Sequence, residues 1–247
     1  MDFLYSDLSI YSYALVLGFV PALFWLWFWL HEGHKHEEPK GIIIATFILG
    51  GISVFIALFV QGLVIDFFGF QAERLLAYNY NLYEDKVINL LFVIIEEFLK
   101  FFAAYVIAFR TKYFNEPLDA FIYLMTAALG FAAVENTLYL IQPLIDGQNI
   151  DAVVTTYTRF IGANILHVTS SGLLSVFIGF AFCKSKLVKE VYTWLGLIFA
   201  ILLHFGFNVF LMINSEKYTG IVYVGTWIMT LILMISLEKV KRVKCVI

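Results

Sequence analysis

Apolar residues in this chain do not alternate with polar ones; they run on in long blocks. Blocks near 20 residues with few or no charges recur from end to end, and that is the length an α-helix needs to cross a hydrocarbon layer about 30 Å thick. They predict seven spans, at about 9–30, 41–64, 87–109, 118–142, 159–183, 191–213 and 219–238, with room for an eighth. Between the second and third, "DFFGFQAERLLAYNYNLYED" (66–85) reads as an aromatic-rich loop lying partly at the interface. No repeat, low-complexity tract or linker breaks the pattern. Residues 1–247 are therefore expected to form one all-α, polytopic membrane bundle, with its core helices over about 87–213.

Composition agrees with the pattern. The 247 residues are 62% hydrophobic and 14% charged, where a soluble domain is about 45–50% apolar and about 25% charged. The expected location is the cell membrane, with multiple crossings. A net charge of −3 gives no reason to expect nucleic acid as a partner. The acidic start "MDFLYSDLSI" lacks a basic n-region, so it reads as the beginning of the first span, not as a signal peptide. "KCVI" at the other end has two residues after its cysteine, one short of a prenylation signal.

Charge sets the orientation. Lys35, Lys40, Arg110, Lys112, Lys184, Lys186, Lys189, Lys239, Lys241, Arg242 and Lys244 fall on one side, and Arg74, Lys86 and Lys217 on the other, eleven against three. By the positive-inside rule the N-terminus is outside and the C-terminus cytoplasmic. Cys183 and Cys245 then face a reducing compartment, and free thiols are expected.

Against this background, "VIIEEFLKFF" (93–102) puts Glu96, Glu97 and Lys100 in the middle of a span. Each charge at that depth costs about 2.5 kcal/mol or more, so such residues usually serve a site. Counted at about 1.5 Å per residue from the expected outer ends, Glu96 and Glu97 lie ~14 Å deep, Glu135 ~10 Å, and His167 and His204 ~12 Å. Four helices thus carry ionisable groups at one level. Glu96 and Lys100, Phe131 and Glu135, His167 and Ser171, and His204 and Asn208 are each four apart, hence on one helix face. Glu96 and Glu97 point about 100° apart, so one can face a cavity while the other braces a neighbouring helix.

These groups suit hydrolysis. A carboxylate among imidazoles can act as general base on water, and an asparagine amide can donate to a developing oxyanion. Zinc is an open option, held by Glu97, His167 and His204, although no HExxH supports it and no Ser-His-Asp or Gly-x-Ser-x-Gly pattern is present. Plainer roles compete. Lys100 can simply neutralise a carboxylate, Glu135 with Asn136 can clamp two helices, Ser170 and Ser171 can permit close packing, and Arg159 can anchor at the outer interface. The "HEGHKHEE" run (31–38), with His31, His34 and His36, reads as a solvated loop on the opposite side from the cluster.

Four motifs in order resemble a known family. "IIEEFLK" is similar to the EExxK motif of the PrsW-type intramembrane proteases, "EPLDAFIYLMTAALGFAAVENTLYL" (116–140) to their most distinctive helix, "HVTSSG" to their histidine motif and "HFGFN" to their HxxxN. The first hairpin also fits, with "PALFWLWFW" and "FILGG", so the resemblance covers about residues 20–210. The related CAAX-processing proteases carry EExxxR, FxxxH and HxxxN. Here Lys100 stands where they have an arginine one position further on, and Glu135 where they have a histidine, which argues against prenyl-protein processing.

What the resemblance implies is peptide-bond hydrolysis in or beside the membrane. The catalytic positions are Glu96, Glu97, Glu135, His167, His204 and Asn208, with Lys100, Asn136 and Ser171 in support. The implied partner is a membrane-anchored protein in the bilayer, for example an anti-sigma factor cut near the extracytoplasmic side. Either a glutamate or a metal mechanism is compatible, with no cofactor certain. The competing class is a proton- or ion-coupled transporter using the same buried groups, but no inverted repeat or paired broken helices accompany them.

Overall fold

The computed structural model describes residues 2–32, 38–67, 82–213 and 219–245. Helix α1 is Asp2–Glu32 and α2 is Lys40–Phe67. Helix α3, Leu82–Ala104, runs on through a π-helical turn at Tyr105–Phe109. Helix α4 is Asp119–Ile145. Helix α5, Asn149–Thr158, continues through a second π turn, Arg159–Ala163, into α6, Asn164–Ala181. Helices α7, Lys186–Ile213, and α8, Thr219–Val240, complete seven rods among the described residues, which contain no strand.

Six rods are long and apolar enough to cross a membrane: α1 from Ser9, α2, α4, the α5–α6 rod, α7 and α8. The seventh, α3, is disqualified on apolarity by its own Glu96, Glu97 and Lys100, and it packs against α2, α4 and α7 instead of standing alone. The protein is a multi-pass helical membrane protein.

Burial sorts the rods into two layers. In their most apolar stretches α4 is 72% buried and the α5–α6 rod 78%, against 22–39% for α1, α2, α7 and α8. The outer rods are apolar where they face lipid, while α2 and α7 turn Gln61, His204 and Asn208 inward. Helix α4 fits the centre because its sequence is small where neighbours touch. A Cβ on Gly130 would collide with the Phe47 carbonyl of α2, and one on Gly50 with the Ala127 carbonyl of α4. This glycine seam brings two backbones together in the manner of small-residue membrane contacts.

The helices overshoot the hydropathy boundaries. Asp66 and Phe67 belong to α2 and residues 82–85 to α3, so the expected 66–85 loop is shorter than the pattern indicated; its residues 68–81 lie outside the described ones. Residues 149–158, expected to link two spans, are helical. Hydropathy marks only the part of a helix that lipid surrounds, and backbone hydrogen bonding carries the helix past that limit. In the histidine-rich run His31 lies in the last turn of α1 and stacks on Trp27, while His34 and His36 lie outside the described residues. A second expectation is overturned: Cys183 and Cys245 form a disulfide, with Cα atoms 5.0 Å apart. The free-thiol expectation came from the compartment alone; it could not register that the tail after α8 folds back onto the end of α6.

Candidate active site

Counted from the helix ends found here, the polar groups no longer share one depth. Glu96 lies ~21 Å along α3, Glu135 ~15 Å from the end of α4, His167 ~27 Å along the α5–α6 rod and His204 ~13 Å from the end of α7. They nevertheless meet in space, because the rods project beyond the common level by different amounts.

Glu97 is the hub of the cluster. It is 1% exposed, and its Oε1 accepts from Lys100 Nζ at 2.7 Å, Ser170 Oγ at 3.1 Å and His204 Nδ1 at 2.7 Å. Its Oε2 is buried with no hydrogen-bond partner among the described residues. An unpaired carboxylate this deep costs several kcal/mol; here α3, α6 and α7 all contribute to compensating it. Lys100, 0% exposed, also sits over the Phe131 ring.

Lys100 fixes the state of His167. An ammonium can only donate, so His167 Nδ1, 2.7 Å from Lys100 Nζ, accepts. A neutral ring then carries its proton on Nε2, which points at Glu135 Oε2, 3.1 Å away. Glu135 also pairs with the Arg159 guanidinium, which reaches Asn136 Oδ1 through Nε and lies 4.0 Å above the Tyr139 ring. Asn136 in turn donates to Asn164 Oδ1 at 2.8 Å. Arg159 starts the π turn between α5 and α6.

His204 is wired the other way round. Its Nδ1–H donates to Glu97, leaving the Nε2 lone pair facing Glu96 Oε2 at 3.9 Å. The two imidazoles meet edge to face, 5.1 Å apart. Glu96, unlike its neighbour, is partly exposed, and its Oε1 accepts from Gln61 Nε2 of α2 at 3.2 Å. Glu96, Glu135, Arg159, His167, His204 and Asn208 all line one cavity of about 390 Å³ between α3, α4, the α5–α6 rod, α7 and α8. Of the adjacent glutamates, therefore, Glu96 faces the cavity and Glu97 braces it from behind.

Six expected positions thus converge: five on the cavity wall and Glu97 behind His204. Lys100 and Asn136 stand in the supporting network. Ser171 is buried beside it, but the hydroxyl that reaches Glu97 is that of Ser170. Gln61 and Tyr139 escaped the sequence reading. Gln61 left a signal there, as a lone amide in the outer part of an apolar span, where an uncharged polar group usually faces another helix.

The metal question takes a different form from the one expected. Glu96, not Glu97, groups with the two histidines, with ligand atoms all within 4.8 Å of one another. Two imidazoles and a carboxylate are a zinc donor set in kind, and Glu97 on His204 Nδ1 is the support such a ligand normally has. His167 is the constrained member of this set, since both its nitrogens are engaged, by Lys100 and by Glu135. Glu96 and His204 keep free ligand atoms, so a three-ligand ion held by this group would displace one of the hydrogen bonds of His167.

A family model described as "PrsW family intramembrane metalloprotease" matches residues 38–236. Protease PrsW of Geobacillus kaustophilus (strain HTA426) is 28% identical over 233 residues, covering 92% of this chain and 90% of that protein. Protease PrsW of Halalkalibacterium halodurans (strain ATCC BAA-125 / DSM 18197 / FERM 7344 / JCM 9153 / C-125) is 26% identical over 92% of this chain and 95% of its own. Protease PrsW of Bacillus subtilis (strain 168) is 25% identical over 93% and 94%. No solved structure matches the chain.

Proposed function

Because this chain belongs to the PrsW family of intramembrane proteases and is a membrane-embedded protease, we propose that it cuts a membrane-anchored protein with a water activated by Glu96 and His204. The observation that carries the reading is the pair of unengaged acceptors on the cavity wall. Glu96 Oε2 and His204 Nε2 are 3.9 Å apart, a separation that one water can span while bonding both.

In this mechanism Glu96 takes a proton from the water as general base. The hydroxide attacks the scissile carbonyl, and Asn208 and Arg159 stabilise the oxyanion from the cavity wall. Glu96 then returns the proton to the departing amine as the C–N bond breaks. Glu97 keeps His204 in the tautomer that presents Nε2, as a buried carboxylate does for a catalytic imidazole. Lys100 from behind and Glu135 from the cavity side hold the neutral His167 ring in place on the opposite wall. The whole 1–247 chain acts as one protease domain.

The substrate we propose is a single-span protein cut near its extracytoplasmic end, an anti-sigma factor being one such class. The charge bias that puts the N-terminus outside supports this, since it sets the cavity toward the outer end of α4 and α7. The test is a panel of single-span peptides with different polar outer flanks, in vesicles with purified protein. Wild type is expected to cleave at least one member and Glu96→Gln none of it. Equal cleavage by both would overturn the site. Stoichiometric zinc in active protein, with cleavage lost to a chelator and restored by zinc, would overturn the metal-free step.

A further inference from the structure

A second cavity, of about 330 Å³, opens on the other side of Glu96. Val54, Ala57, Leu58 and Gln61 of α2 form one wall, and Phe131 and Leu138 of α4 another. Phe92, Glu96, Glu135 and Tyr139 line both this groove and the catalytic cavity. Those four side chains are a partition with both carboxylates in it.

The groove begins next to the glycine seam. There the backbones of α2 and α4 touch; from Val54 and Phe131 onward side chains of the two helices line a cavity, and Gln61 lies about 16 Å from Gly50 along α2. The groove is not sealed. Leu58 lines it and is still 50% exposed, among neighbours Phe55 and Phe59 that are 57% and 69% exposed on the lipid-facing side of α2. It is therefore an apolar slot that opens sideways and ends on the carboxylates. Its one polar group from α2 is Gln61, 8% exposed and bonded to Glu96.

We propose that this groove admits the substrate: the membrane-spanning segment of the anchored protein slides in between α2 and α4, and Gln61 is a positioning residue that holds Glu96 until that segment's backbone takes over its amide. A helix conceals its peptide bonds, so the scissile stretch must unwind before hydrolysis. In an apolar slot every freed N–H and C=O then needs a partner. A glutamine amide supplies one donor group and one acceptor, which a purely apolar wall cannot. Water reaches Glu96 independently, through the polar cavity on the far side.

This rests on the protease reading, and the test separates the two. A photo-reactive benzoylphenylalanine is placed at Leu58 and, in a second protein, at Leu195, which is 40% exposed on α7 and lines neither cavity. Each full-length protein is illuminated in vesicles with the single-span peptide cleaved fastest in the panel. Capture at position 58 is expected to exceed that at 195 by at least fivefold. Equal capture, or capture of lipid alone at 58, would overturn the groove while leaving the cleavage standing. A panel with no cleaved member would overturn the protease reading and the groove with it. For Gln61, the length-matched Gln61→Met is expected to lower kcat about tenfold with an unchanged unfolding temperature. An unchanged kcat, or a loss matched by unfolding, would overturn its positioning role.

Discussion

Helices α2 and α4 meet twice, on opposite physical terms. At Gly50, Gly51 and Gly130 they touch backbone to backbone, with no polar side chain in the contact. A few turns on a cavity lies between their side chains, lined by Gln61, Glu96 and Glu135. The first contact is van der Waals packing, which tolerates no added atom. The second is a polar junction around a cavity, stabilised only while its charges and hydrogen bonds stay matched. One region is built for closeness and the other for space, and only the second leaves room for a reacting peptide bond.

The comparison breaks first if the polar junction proves merely structural. Glu97→Gln and His204→Ala are each expected to lower kcat at least 100-fold in the peptide-vesicle assay, with protein still folded by size-exclusion chromatography. The Glu97→Gln/Lys100→Met double variant, which removes the charge pair together, is expected to regain stability lost by Glu97→Gln alone and no activity; regained activity would assign Glu97 to folding only. Next in size is the seam. Gly130→Val forces a side chain into the Phe47 carbonyl, and overpacking of this kind costs about 1–3 kcal/mol. Its signature is a lower unfolding temperature in detergent, with kcat of the surviving folded fraction nearly unchanged.

Smaller effects sharpen the contrast. A zinc chelator is expected to change the cleavage rate less than twofold, since His167 already bonds Lys100 and Glu135. The smallest effect is expected at the far end of the molecule. Cys245→Ser removes the disulfide to Cys183, remote from either contact, and is expected to leave kcat within twofold while abolishing the mobility difference between reduced and non-reduced protein on a gel. A large activity loss there would show that the disulfide end reaches the cavity after all.

Much of this was legible in the sequence. Six of the seven rods followed from apolar run length, because lipid imposes that length on any helix that crosses it. The cluster followed from Glu96, Glu97, Glu135, His167 and His204, because each is too costly in lipid to be incidental. Even the divergence of Glu96 and Glu97 was set, since consecutive helix residues must point about 100° apart.

Other features required the packed chain. Periodicity could not say which glutamate faces the cavity, because that depends on which neighbour lies on each side of α3. Nor could it separate Ser170 from Ser171, which differ only by a helix rotation. The partner of Gln61 was fixed only when α2 placed it 3.2 Å from Glu96. The pairing of Cys183 with Cys245 depended on a tail that folds back across 62 positions, and the state of His167 on one ammonium group. Local rules determined which residues lipid would not tolerate without a purpose. Only tertiary contact decided the partner of each, because a hydrogen bond or an ion pair belongs to two positions and a local pattern registers one.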